Sequence, residues 1–231
     1  MKKLPSFLIL LGVTGLFSFA SCRKTDTKPE PEPEPTNEQE IITTVQFFIW
    51  DSITGNPVPG SPFVFRDLDG EGGQAGSFLE NGADSLINIL ATRSYNTKVL
   101  FLDESKSPID TISNAVAGEE SYEHMVFYNG NPSMSGTNKG NTVIKSGYPL
   151  YTVELNQSKI LLRYLDADNG AAKGKATLCV GLRTHLKAGN EAVQNFSFPF
   201  IITLRHQPDA KDGSYAPGET DVEVPFKIRV Y

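Results

Sequence analysis

Carboxylates at alternate positions are the chain's densest set of groups able to do chemistry. Asp67-Leu68-Asp69-Gly70-Glu71-Gly72-Gly73 presents three of them, with glycine before and after the third. Oxygen ligands at that spacing wrap a hard cation such as calcium. The match to a helix-flanked calcium loop is partial, because Gly70 precedes the third carboxylate and Phe78 stands where the closing glutamate belongs. Asp166-Ala167-Asp168-Asn169-Gly170 repeats the theme, and its Asn-Gly pair is a hairpin-turn signal by itself. Asp67, Asp69, Glu71, Asp166 and Asp168 are therefore the candidate calcium ligands. The plain alternative is that Asp and Gly gather in turns for backbone reasons. Asp67, Asp69, Asp166 and Asp168 are also the acids that a glycan- or peptide-cleaving enzyme would use, provided the fold gathers them in one cleft.

The remaining reactive types are sparse. His124, His185 and His206 show no metal-ligand spacing, and Cys179 has no thiol neighbour. Cys179 lies in the apolar run Ala176–Leu182 and reads as a buried small hydrophobe in a strand. There is no G-x-S-x-G elbow and no recognisable Ser/His/Asp arrangement. No catalytic residue is assigned, and the expectation is a protein that is not an enzyme.

Cys22 is different, because its surroundings give it a task. Residues 1–22 carry Lys2 and Lys3, then an apolar stretch from about Phe7 to Phe19, then Ala20-Ser21-Cys22. A short apolar region after positive charge is a secretory signal, and it is too short to span a membrane comfortably. Small residues leading to a cysteine look like the site at which a lipoprotein precursor is acylated and cut. Each buried methylene contributes about 0.8 kcal/mol, so one chain anchors marginally and two or three anchor durably. Residues 1–21 are thus read as a signal peptide and Cys22 as the lipidated residue, with palmitate-like chains as the anchor. Arg23, where an aspartate would favour inner-membrane retention, points to the outer membrane. Which face the protein looks out from, periplasm or cell surface, stays open.

Residues 22–40 then form a tether. Pro29–Pro35 alternates proline and glutamate, so φ is fixed near the polyproline value while the charges repel. An extended spacer of roughly 3.1 Å per residue follows. No apolar side chain is available to repay ordering.

Residues 41–231 are the body. The precursor's net charge of −6 becomes about −8 once Lys2 and Lys3 leave with the signal. An acidic body without a Lys/Arg cluster offers no field for phosphate backbones, so nucleic acid is excluded as a partner. Ile41–Trp50, Phe63–Phe65, Ser85–Leu90, Lys98–Leu102, His124–Tyr128, Tyr148–Leu155, Lys159–Leu165, Ala176–Leu182, Phe198–Arg205 and Val222–Val230 read as strands. Gly, Asn, Asp and Pro punctuate them. Thr111–Glu123 is expected to hold one short helical turn, and Pro225 to mark a bulge or an edge. The expected fold is all-β, an antiparallel β-sandwich. The polar 129–147 segment is a candidate joint between two Ig-like halves, since Phe65–Gly70 is echoed by Arg163–Gly170.

The segments Arg66–Gly73, Val99–Lys106, Glu123–Tyr128, Leu204–Pro208 and Gly218–Phe226 resemble an uncharacterised lipoprotein family of Bacteroidota. Its members are often labelled type 1 periplasmic binding fold superfamily proteins. The resemblance covers most of residues 41–231, and the closing segment is the most specific. It implies a cell-envelope location, work beside an outer-membrane transporter, and no catalytic residues. The label would also imply βαβ repeats, but the residues hold none. The expected function is a non-catalytic binding or interaction module of the envelope, joined to the membrane by lipid and to a transporter or another envelope protein by contact. The alternatives are the carboxylate-dependent hydrolase and a purely structural component.

Overall fold

The computed structural model describes residues 40–69, 75–79, 86–130, 150–155, 158–192 and 197–231. All of them belong to one compact unit, Asn37–Tyr231. Cys22, Glu71, the signal segment and most of the 129–147 stretch lie outside the described residues.

Among the described residues the chain forms β1 (Thr44–Asp51), β2 (Phe63–Arg66), β3 (Ser77–Leu79), β4 (Leu86–Ile89), β5 (Ser94–Leu102), α1 (Ile112–Ala117), β6 (His124–Asn129), β7 (Leu150–Glu154), β8 (Lys159–Tyr164), β9 (Arg183–Ala188), β10 (Phe198–His206) and β11 (Glu219–Val230). Seven strands make one sheet in the order β3-β2-β1-β5-β9-β8-β7, and four make the second, β4-β11-β10-β6.

Period-two patterning decides which faces meet. Val45, Phe47 and Ile49 of β1 point inward, as do Val224, Phe226, Ile228 and Val230 of β11, while Glu223, Pro225 and Lys227 face solvent. Across the interior, Phe47 lies 5.7 Å from both Phe200 and Phe226 by ring centroid, in tilted contacts. Two tyrosines tie the layers through their hydroxyls. Tyr128 of β6 donates to the Gly181 carbonyl and Tyr164 of β8 donates to the Val126 carbonyl, each at 2.7 Å. Buried hydroxyls need such partners, and here the partners lie in the facing layer.

The all-β sandwich is as expected, with four corrections. Strands from both halves of the sequence share both sheets, with β5 of the first half paired to β9 of the second, so the body is one sandwich and not two Ig-like halves. The second sheet is mixed, because β4 runs parallel to the end of β11. Ala176–Leu182 is a connection, buried from Leu178 onward and bridged to Ala167 at Cys179, and the strand is the following segment, β9. Gly181 explains the break. Its φ of +94° is left-handed, and a Cβ there would clash with the Tyr164 ring and the Val126 carbonyl oxygen. Finally, the bulge in β11 falls not at Pro225 but where the register with β10 shifts between Leu204 and Arg205. Pro225 itself stays in register opposite Ile201 of β10, and among the described residues the β4 ladder begins at Lys227.

The short helix forms where expected. Ile112 and Val116 bury one face, and the Ser113 hydroxyl accepts the Phe101 N–H at 2.7 Å, docking the helix on β5.

Candidate functional site

The two acidic segments fold into different environments. Asp166 follows β8 and accepts the N–H groups of Gly181 at 2.8 Å and Arg183 at 2.9 Å. Burial raises its pKa above the usual carboxylate range against the pull of these bonds. Asp168 accepts the N–H groups of Leu178 at 2.9 Å and Gly170 at 3.1 Å on one oxygen, while its other oxygen meets the Lys211 ammonium at 2.7 Å. Lys211 also donates to the Ser121 carbonyl at 2.7 Å. Both ends of this ion pair are buried, with side-chain exposures of 2% and 0%. Burial lowers the Lys211 pKa, and the Asp168 carboxylate opposes that shift. These two aspartates therefore splint the Ala176–Leu182 connection and pin the 207–218 loop.

Asp67 and Asp69 follow β2. Asp67 is half-buried and donates its N–H to the Thr43 carbonyl at 2.8 Å, while Asp69 is exposed. Three strands separate β2 from β8 in the sheet order, so four strand spacings put the two acidic segments roughly 19 Å apart. A glycosidase pair works at about 5–9.5 Å, and the four aspartates do not form one. Among the described residues no group of three or more His, Cys, Asp or Glu is arranged to hold a metal ion. Cys179 is buried as expected, and burial pushes its thiol up to about 11, so it stays protonated at neutral pH.

A different cluster forms where β6, β10 and β11 meet. His124 opens β6, and His206, its register partner, closes β10. Their rings stack at 4.5 Å with planes 9° apart. The register shift in β11 leaves Asp221 as the extra residue between Thr220 and Val222. A bulge re-aims side chains in this way, and it turns the Asp221 carboxylate inward, with 0% exposure, to 3.5 Å from His124 Nε2. His124 Nδ1 lies 3.2 Å from the Glu120 carbonyl oxygen. His124 Nε2, His206 Nε2, both Asp221 oxygens and Glu120 Oε2 are buried without a hydrogen-bond partner. Lone pairs lying in two parallel ring planes do not converge on one point, so the pair is not built to chelate.

Two openings flank this cluster. A cavity of about 300 Å³ is lined by Thr43, Thr44, Phe65, Asp67 and residues 220–223. A shallower groove of about 680 Å³ runs past Glu40, Lys106, Asp110, Glu119 and Glu120. Burial, then the Glu120 charge, raises the Glu40 pKa.

The acidic runs stand out in the sequence and the histidines do not, because His124 and His206 are far apart in the chain and lack metal-ligand spacing. Glu219-Thr220-Asp221 before the alternation of Val222–Val230 was the one available signal for the bulge. Comparison with known proteins finds no matching family model, no matching curated relative and no matching solved structure.

Proposed function

We propose that the chain is a lipid-anchored protein of the outer membrane whose β-sandwich is a non-catalytic binding and docking module. The observation that carries this reading is the N-terminal arrangement: positive charge, a short apolar stretch, small residues and Cys22, followed by a proline–glutamate spacer. A diacylated sulfur holds the protein at the bilayer, and the spacer sets the body tens of ångströms away from it. The body's acidity keeps it off anionic surfaces and leaves it free to meet a transporter or another envelope protein.

The test is a set of photo-reactive residues placed singly at exposed Ile53, Ile109 and Leu150 in the full chain, expressed in cells and irradiated. The proposal expects a discrete cross-linked envelope species from at least one position. Irradiation that yields only uncross-linked chain from every position contradicts it.

A further inference from the structure

The Asp221 carboxylate has no side-chain exposure and stands 3.5 Å from His124 Nε2, and it needs a cation beside it, because an isolated buried charge is too costly to keep. The nearby permanent cations are committed elsewhere. Arg205 donates to the Thr220 hydroxyl and to the Pro217 and Gly218 carbonyls. Lys106 pairs with Asp103 and Asp110. The cation must then be an imidazolium, and His124, with Nε2 at 3.5 Å, is in place to supply it. A second proton would have to go onto His206, whose ring lies face to face with His124 at 4.5 Å. Two stacked cations in a buried site repel strongly.

We propose that His124, His206 and Asp221 form a one-proton latch, which holds the start of β6, the end of β10 and the bulged start of β11 together and opens when the cluster gains a second proton or loses its only one.

The direction of each flank follows from linkage. Burial works against the His124 imidazolium, but Asp221 and Glu120 outweigh it and raise its pKa above the ordinary 6.5. The stability it contributes is full below 6.5 and is lost as pH rises through the raised value. Burial, and then the His124 charge, lower the His206 pKa below 6.5. Its contribution is intact above 6.5 and is lost as pH falls through the lowered value. The two losses leave a maximum near the ordinary imidazole value. The groups facing the pair from the packed elements are Glu120 and Glu123 before β6, Asp221 on β11 and Glu40 at the chain's approach. Glu40 also has a raised pKa and titrates with opposite sign on the acid side, so an E40Q background isolates the histidines.

Imidazole NMR on the full chain reads the latch directly, with His185, which pairs with Asn96 at 3.1 Å, as a reporter outside it. The latch requires His124 charged and His206 neutral at pH 6.5, with midpoints on opposite sides of that value. It also requires amide exchange in β6, β10 and the start of β11 to be slowest there, after correction for intrinsic rates. Asp221→Asn should weaken His124's proton affinity by about tenfold or more and turn the stability maximum into a steady rise with pH. His206→Asn should remove the acid-side loss alone. Coincident midpoints for the two histidines in the unaltered protein overturn the proposal, whether or not the variants fold. An Asp221→Asn variant that folds with an unmoved His124 midpoint does so as well.

Discussion

Lys211 carries its ammonium into the interior to meet Asp168, and the energetics of that pair are asymmetric. Removing one partner strands the other charge in a low-dielectric site, which costs about 3–5 kcal/mol. Lys211→Met should therefore lower unfolding stability by about that amount in urea titration, more than a surface ion pair such as Arg93 with Asp51 would cost, where about 0–1 kcal/mol is usual. Asp166 and Asp168 serve backbone N–H groups in the same region. Asp166→Ala is expected to destabilise the fold by about 2–3 kcal/mol, and by the same amount with a chelator present. A loss that appears only when calcium is available would instead support the cation reading of this segment. Gly181→Ala forces a side chain onto a left-handed residue packed against Tyr164 and Val126 and should cost at least about 1–3 kcal/mol, read as a lowered melting temperature. These roles were half legible. The aspartates stood out in the sequence as chemical groups, but whether a carboxylate faces water or a backbone N–H is decided by the loop around it. Lys211 showed no sign of being buried at all.

At the scale of elements, alternation was the readable signal and its interruptions were not. β1, β10 and β11 were visible because β-branched and aromatic residues recur at alternate positions over most of each strand. Ala176–Leu182 misled for the opposite reason: it is apolar but for Thr177, as a central strand would be, but one left-handed glycine and the captured N–H groups make it a connection buried from Leu178 onward. β9 reads Arg-Thr-His-Leu-Lys-Ala, whose polar face hides it, although Thr184, Leu186 and Ala188 are buried. β3 is three residues long, too short for any period. The bulge at Asp221 depends on pairing with β10, and the polar Glu219-Thr220-Asp221 before the alternation marks its place without giving the register. Phe226 belongs to the visible set, packing on Phe47 at 5.7 Å and on Phe78 at 5.3 Å. Phe226→Ala should cost about 3–5 kcal/mol in chemical denaturation. The exposed neighbour Lys227 should tolerate replacement within about 0.5 kcal/mol.

The whole molecule divides its labour along the chain. In the proposed function its N-terminal residues supply address and attachment, a reading that rests on composition alone: charge, an apolar stretch, small residues, one sulfur, then alternating proline and glutamate. The body speaks of a folded sandwich with a closed interior, in which polar groups are spent on holding loops and strands. The proposed function joins these parts, since a stable sandwich on a spacer is suited to meeting a partner at a fixed reach from the bilayer. That account stands on the acylated thiol, and replacing Cys22 with serine tests it most directly. The unaltered protein should sediment with membranes, partition into detergent and take up labelled palmitate, while the Cys22→Ser protein should lose the label and move to the soluble fraction with its fold intact. A Cys22→Ser protein that remains in the membrane fraction as firmly as before would contradict the account.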